Sequence, residues 1–291
     1  KVANHCQHNN ITFPNLKSIV MFGAPVNPSL LKKLTPVVPN GDIFTPYGAT
    51  ESLPICNISA KEILSSTANK TETGSGTCIG KPLEEKNVRI IKNTTAIIDS
   101  FSKLTILPEN QIGEIIVTGD QVTQKYLNNQ YANNISKIKE KNKIWHRLGD
   151  VGYFDSLGRI WFCGRSSHII NINKQFIYPI KIESIFNNNV MIKRSALIKI
   201  ITSNKSYLAL IIERHDKKTK LYFNKKTSFV TQLIKINDCI KKENQVTKFF
   251  LSKELPLDRR HNIKIDRIKL AQIYNENNFG ELCNTETQKK F

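Results

Sequence analysis

Tyr47-Gly48-Ala49-Thr50-Glu51 directly follows a short β-prone run, Asp42-Ile43-Phe44-Thr45. Upstream, Leu16-Lys17-Ser18-Ile19-Val20-Met21-Phe22 reads as a buried strand that stops at Gly23-Ala24-Pro25. Between the two, Pro28 to Val37 has helical spacing, with Leu30, Leu31 and Leu34 on one side. Strand, helix, strand is the pattern of a parallel α/β layer, and such layers bind ligands beyond the carboxyl ends of their strands. Gly23 to Pro25 and Tyr47 to Glu51 both fall at such ends. In the second loop Tyr47 offers an aromatic face for a base, Thr50 a hydroxyl for phosphate, and Glu51 a hard oxygen for magnesium.

Roughly a hundred residues later come Gly149-Asp150 and then Gly164-Arg165. Asp150 brings two acceptor oxygens that suit a pair of ribose hydroxyls, and Arg165 a fixed fork of donors. The set points to one ATP site, with Mg2+, assembled from distant loops. Between them the text changes to short alternating β segments, Val88 to Ile91 and Gly113 to Val117. A hairpin follows, Gly149 to Phe154 against Arg159 to Cys163, turned by Asp155-Ser156-Leu157-Gly158. After Arg165 the style shifts again. Pro179 to Asn187 reads as a short helix, Arg194 to Ile201 pairs with Tyr207 to Ile212, and Phe229 to Lys242 is amphipathic. Lys248 to Leu251 is a strand and Arg267 to Asn275 a last helix. The fold class read from this order is α/β plus α+β. Residues 1–163 carry the parallel layer and a β subdomain, 164–167 a hinge that includes Ser167, and 168–291 a separate small domain of ordinary size.

The 291 residues suffice for two cores. No apolar run approaches the length of a membrane span, and no leader precedes Ile11. Six cysteines lack any CxxC pairing and read as free thiols of a reducing, cytoplasmic compartment. The formal charge of +19 is spread along the chain in company with Asn and Ile, without an Arg-rich, aromatic-laced block. That reads as a solvated basic surface, which draws anions such as ATP without specific nucleic-acid binding. Gly74-Ser75-Gly76-Thr77-Cys78-Ile79-Gly80-Lys81 imitates a phosphate loop. It fails the rule twice, with Ser75 where Gly is required and Pro82 where Ser or Thr is required, and reads as a connector.

These residues together resemble the C-terminal half of an adenylate-forming enzyme of the acyl-CoA synthetase, peptide-synthetase adenylation and luciferase superfamily. Gly23-Ala24-Pro25 resembles the loop that walls the adenine and acyl pocket, and Tyr47 to Glu51 the superfamily's tyrosine-glycine-x-threonine-glutamate motif. Gly113-Glu114-Ile115 to Tyr126 resembles the next core block, Leu148-Gly149-Asp150 the ribose block and Gly164-Arg165 the hinge block. A narrower likeness is to the olefin β-lactone synthetases. It is carried by Trp145 to Tyr153, Trp161 to Arg165, Arg194-Ser195-Ala196-Leu197 and Arg260-His261-Asn262-Ile263-Lys264-Ile265.

The resemblance implies that residues 1–163 are the C-terminal part of the large AMP-binding domain and 168–291 the small C-terminal domain. It implies ATP-dependent adenylation of a long-chain, β-hydroxy fatty acid, then closure of a β-lactone. Lys264 would be catalytic with Thr50 and Glu51, and Glu51 would ligate magnesium. Gly23, Ala24, Pro25, Tyr47, Gly48, Ala49, Thr50, Asp150 and Arg165 would hold the nucleotide. Each has a plainer reading beside it. Lys264 could be solvated surface, Glu51 a helix-terminal charge, Asp150 a turn residue and Tyr47 a core aromatic. His146 and His261 read as supporting groups.

Two departures shape the expectation. The phosphate loop that the family carries before its equivalent of residue 1 is not in this sequence, so the missing N-terminal half is expected in the same or a companion chain. Ser167 stands where the hinge is usually Asp or Lys, and Ile172-Asn173-Lys174-Gln175-Phe176 lacks the glycine that thioester-forming members use. The alternatives are a long-chain fatty acid–CoA ligase, or an inactive basic fragment binding anions or RNA.

Overall fold

The computed structural model describes residues 2–84, 87–202, 205–215, 226–258, 264–276 and 283–284. The chain divides into two compact units, one of Lys1–Thr71 with Ser75–Ser167, the other of Glu72–Gly74 with His168–Phe291.

In the first unit, β1 (Ser18–Val20) and β2 (Asp42–Phe44) pair in parallel, Ile19 opposite Ile43. The helix Pro28–Leu34 crosses between them. Pro28 sits at its first turn, where no N–H is needed, and the Asn27 side chain accepts from Ser29 N at 2.8 Å. Leu31, Leu34, Ile43 and Trp161 close one core beneath this layer. The first strand is shorter and more open than its apolar run suggests. β1 has one neighbour among the described residues, and Val20 and Phe22 remain 55% and 67% exposed.

Tyr47 to Glu51, read as a loop, forms most of a tight hairpin. β3 (Tyr47–Ala49) turns through Thr50-Glu51 into β4 (Ser52–Asn57), with Ala49 opposite Ser52. The glycine-rich segment is likewise no connector. Its second half is β5 (Thr77–Pro82), which lies between β4 and β10 (Ile160–Arg165). A Cβ on Gly80 would meet Asn57 O at 2.3 Å, so this glycine serves close strand packing.

The sheet continues through β9 (Lys143–Phe154), β7 (Gly113–Val117) and β6 (Val88–Ile91), while β8 (Lys137–Glu140) also pairs with β9. The β9–β10 turn is set by Asp155, whose Oδ1 accepts from Leu157 N and Arg159 N and whose Oδ2 accepts from Arg159 Nε and Trp161 Nε1. β9 is anchored to β7 by the buried Arg147, which donates to Glu114 Oε2 at 2.7 Å and to the carbonyls of Thr94, Ala96 and Ile135.

In the second unit, β11 (Ile170–Ile172) and β12 (Gln175–Ile177) form a hairpin whose two turn residues, Asn173 and Lys174, have φ of +53° and +66°. Two left-handed residues in a row define the turn that matches strand twist. A four-stranded sheet follows in the order β13 (Ile192–Ile201), β14 (Ser206–Arg214), β15 (Lys248–Ser252), β16 (Cys283–Asn284). Alternate residues feed opposite faces. Leu197, Leu208, Leu210, Ile212 and Phe249 pack with Phe186 and Phe229 of the helices Pro179–Asn187 and Lys226–Asp238. Ala196, Ile198, Ala209, Ile211 and Phe250 pack with Leu270 and Tyr274 of the helix Arg267–Glu276. The structure is thus an α/β layer with a β subdomain, and an α+β unit. Among the described residues no helix is long and apolar enough to cross a membrane.

Candidate functional site

Parallel pairing puts the ends of β1 and β2 on the same edge, so Gly23–Pro25 and Tyr47 follow strands that finish side by side. Gly23 has φ +99° and open space where a Cβ would stand. Pro25 is exposed and Ala24 half-buried.

Tyr47, Asp150 and Arg165 meet. Tyr47 Oη donates to Asp150 Oδ2 at 2.6 Å, and Arg165 Nη1 donates to Asp150 Oδ1 at 2.8 Å and to Leu148 O at 3.0 Å. A bulge between Phe162 and Gly164 shifts the β9–β10 register so that Arg165 stands directly opposite Asp150. Gly149 has φ +68°, and a Cβ there would lie 3.5 Å from Arg165 Nη2. Glycine adopts that conformation without steric cost. Asp150 is buried, whereas the Arg165 side chain keeps 49% of its surface open. Desolvation and the Asp150 carboxylate raise the Tyr47 phenol well above its usual value, so it stays protonated and donating. The Tyr47 ring lies 6.0 Å from that of Phe162, tilted by 46°.

Glu51 lies in a second cluster. Its Oε1 accepts from Tyr126 Oη at 2.8 Å, and its backbone O accepts from Thr123 N at 2.8 Å. The Asn133 side chain pins the Tyr126 backbone from both sides, accepting from its N at 2.7 Å and donating to its O at 2.9 Å. Lys137 Nζ donates to Thr123 O and Oγ1 and lies 5.5 Å from the centre of the Tyr126 ring. The His146 ring meets Tyr126 edge-on at 6.2 Å. Burial pushes the Glu51 carboxyl upward. The Tyr126 hydroxyl, its own N–H, His146 and Lys137 outweigh this and hold it below its usual range. An ionised carboxylate with one oxygen engaged suits magnesium, which takes one or two carboxylates beside phosphate and water. Thr50 is exposed at the turn beside it.

Burial, then the Lys137 charge, pushes His146 down from 6.5 to about 4. Its Nδ1 has no hydrogen-bond partner among the described residues. Folding therefore keeps this ring neutral, and its contribution is complete above pH 6.5. It is lost as pH falls toward 4, because the unfolded chain takes up the proton first. Unfolding by urea at pH 7 and pH 4.5 should lose roughly 2–3 kcal/mol more in the wild type than in His146→Gln. Equal losses would refute the assignment.

Lys264 belongs to the second unit. It is exposed, and its carbonyl accepts from Asp258 N at 2.8 Å. Arg260 to Ile263, with His261, lie outside the described residues. Ser167 is exposed in a one-turn helix, Ser166–His168, and Ser166 Oγ bonds Asn93 Oδ1 at 2.8 Å. Reading the sequence left Tyr126, Lys137 and Thr123 without roles. The one signal for them was the position of Tyr126 at the end of a core block.

Residues 2–127 match the family model described as AMP-binding enzyme. Among curated relatives, an olefin beta-lactone synthetase of Xanthomonas campestris pv. campestris is 34% identical over 264 residues, 89% of this chain and 47% of that protein. Another, from Stenotrophomonas maltophilia, is 32% identical over 265 residues, again 89% of this chain and 47% of that protein. The chain thus spans about half the length of these relatives. The fold is shared with the O-succinylbenzoate coenzyme A synthetase of Bacillus subtilis in complex with ATP and magnesium. That likeness has a TM-score of 0.67 and 21% identity, and covers 92% of this chain and 49% of the other.

Proposed function

We propose that this chain is the nucleotide- and lysine-bearing half of an enzyme that adenylates a carboxylic acid with ATP. Residues 1–163 would be the C-terminal part of the large AMP-binding domain, 164–167 the hinge with Ser167, and 168–291 the small domain. The remaining half would be supplied by the same or a companion chain. The substrate would be a long-chain β-hydroxy fatty acid, the first products acyl-AMP and pyrophosphate, the next step closure of a β-lactone with release of AMP, and the compartment cytoplasmic. The observation that supports the reading is the convergence of Tyr47 and Arg165 on the Asp150 carboxylate, which joins three motifs far apart in the chain.

Each oxygen of Asp150 accepts one internal bond and keeps a lone pair for a ribose hydroxyl. Arg165 and Tyr47 fix that carboxylate in place before the nucleotide arrives, which lowers the cost of ordering it on binding. Tyr47 offers its ring to adenine, and Gly23, Ala24, Pro25, Gly48 and Ala49 wall the same edge. Thr50 donates to phosphate. Glu51, kept ionised by Tyr126, would hold magnesium, which when bound neutralises charge on the phosphates. Lys264 would carry positive charge to the point where the carboxylate meets the α-phosphate.

Equilibrium dialysis of ATP and AMP against the chain tests the ribose assignment. Asp150→Asn keeps the volume and loses the charge, so it should weaken both ligands by about ten- to a hundredfold, given about 1.5–3 kcal/mol for a charge-assisted bond. Unchanged affinity would remove Asp150 from the site.

A further inference from the structure

We propose that Glu183 and Arg267 are positioning residues for Lys264: their buried ion pair, with Glu213 opposite, fixes the short backbone ladder from which Lys264 projects. The inference rests on the reading of Lys264 as the charge that meets the reacting anions.

Glu183 is placed against expectation. It sits on the buried stripe of the helix Pro179–Asn187, together with Ile182 and Phe186, and is only 5% exposed. A carboxylate there is costly unless every lone pair is used. Its Oε1 accepts from Leu197 N at 2.6 Å and its two oxygens take the Arg267 fork at 2.5 and 2.6 Å. Leu197 lies in β13, the outer strand of the sheet, and Arg267 opens the helix Arg267–Glu276. One side chain therefore joins a helix, a sheet edge and the start of a second helix. A two-pronged fork fixes orientation as well as distance.

Lys264 is three residues before Arg267. Between them, Ile265 bridges to Leu257, Asp266 N donates to Pro256 O at 2.9 Å, and Lys264 O accepts from Asp258 N at 2.8 Å. Asp266 then caps the helix, its Oδ1 accepting from Lys269 N at 3.0 Å. The facing segment has its own buried anchor. Leu255 N donates to Glu213 Oε2 at 2.9 Å, and Glu213 also takes Lys193 Nζ and Arg194 Nε, each at 2.6 Å. Both sides of the ladder thus end on a buried carboxylate held by cationic side chains. Ile265 packs on the core formed by Leu255 and Leu270, while Lys264 is exposed. A long, flexible ammonium does its work only from a fixed origin, since small errors of placement cost large factors in rate.

The test uses Glu183→Gln and the milder Arg267→Lys, with hydrogen exchange of the chain as the first readout. Exchange at the amides of Asp258 and Asp266 should speed up tenfold or more, while that of Leu210 in the central strand stays protected. If Glu183→Gln does not fold, Arg267→Lys alone carries this readout, because a cation remains beside Glu183. In the assembled enzyme, Arg267→Lys should lower the kcat of adenylation about tenfold with the KM for ATP unchanged. Protection at Asp258 and Asp266 equal to wild type, or a kcat unchanged while Lys264→Ala is inactive, would overturn the proposal. If Lys264→Ala is itself fully active, the catalytic reading of Lys264 falls. The exchange result then still decides whether Glu183 and Arg267 hold the ladder.

Discussion

Replacing Lys264 with alanine should abolish acyl-adenylate formation in the assembled enzyme and leave the affinity for ATP as it is. Adenylation brings a carboxylate against the α-phosphate of a polyanion, so the barrier is dominated by charge that must be neutralised as the new bond forms. Lys264 sits outside the Tyr47, Asp150 and Arg165 cluster that would grip the ribose, and in the other compact unit of the chain. Its removal therefore leaves the ground-state contacts of the nucleotide intact. The loss of one stabilising charge is worth on the order of 10²–10³ in rate, and more where two anions meet. Pyrophosphate exchange into ATP measures the step directly. Exchange at the wild-type rate in Lys264→Ala would return this residue to the solvated surface. A loss matched by an equal loss of ATP affinity would make it a nucleotide-binding group instead.

The elements legible in the sequence were those whose local pattern and burial agree. Pro179 at the first turn and Ile182 with Phe186 on one stripe define a helix, and the structure forms it over Pro179–Asn187. Strict parity in Arg194 to Ile201 and Tyr207 to Ile212 defines two strands buried on both faces, and residues of each parity feed their own core. What stayed hidden depends on distance along the chain. Tyr126 reaches Glu51 across 75 residues and Arg267 reaches Glu183 across 84, and no local pattern encodes either bond. The visible trace of the second was a glutamate on an apolar stripe, which requires a cation from elsewhere. Two readings went astray because composition was taken for context. Leu16 to Phe22 is apolar enough for burial, but β1 has a single strand neighbour among the described residues. The glycines of Gly74 to Lys81 suggested a connector, yet Gly80 lies in a strand where Asn57 O approaches it closely. The motifs were legible as chemistry because Tyr, Asp and Arg in such short blocks have few structural uses together. The convergence of Tyr47, Asp150 and Arg165 follows from the β9–β10 bulge, which the sequence does not announce.

On the proposed reading, the assembled enzyme should release AMP from a β-hydroxy fatty acid and ATP without coenzyme A, with a β-lactone as the product. A thioester-forming enzyme needs a passage where backbone approaches the pantetheine arm closely, and glycine serves that need. Here the β11–β12 turn is Asn173-Lys174, both left-handed, with the long Lys174 side chain at φ +66° where glycine is the usual occupant. Phe176, two residues on, is 58% exposed and adds further bulk. An internal nucleophile has no use for such a passage. The β-hydroxyl oxygen attacks the acyl carbon, the bond from that carbon to the AMP phosphate oxygen breaks, and the hydroxyl proton leaves to solvent. Holding nucleophile and carbonyl in one molecule supplies an effective concentration on the order of 10⁵ M or more when the geometry is good. External coenzyme A at millimolar levels would compete poorly. Mass spectrometry of the products with and without coenzyme A decides it. The lactone mass should appear in both, and Lys174→Gly should not by itself create thioester. Strict dependence of AMP release on coenzyme A, or a thioester as the main product, would place the chain among the long-chain acyl-CoA ligases instead.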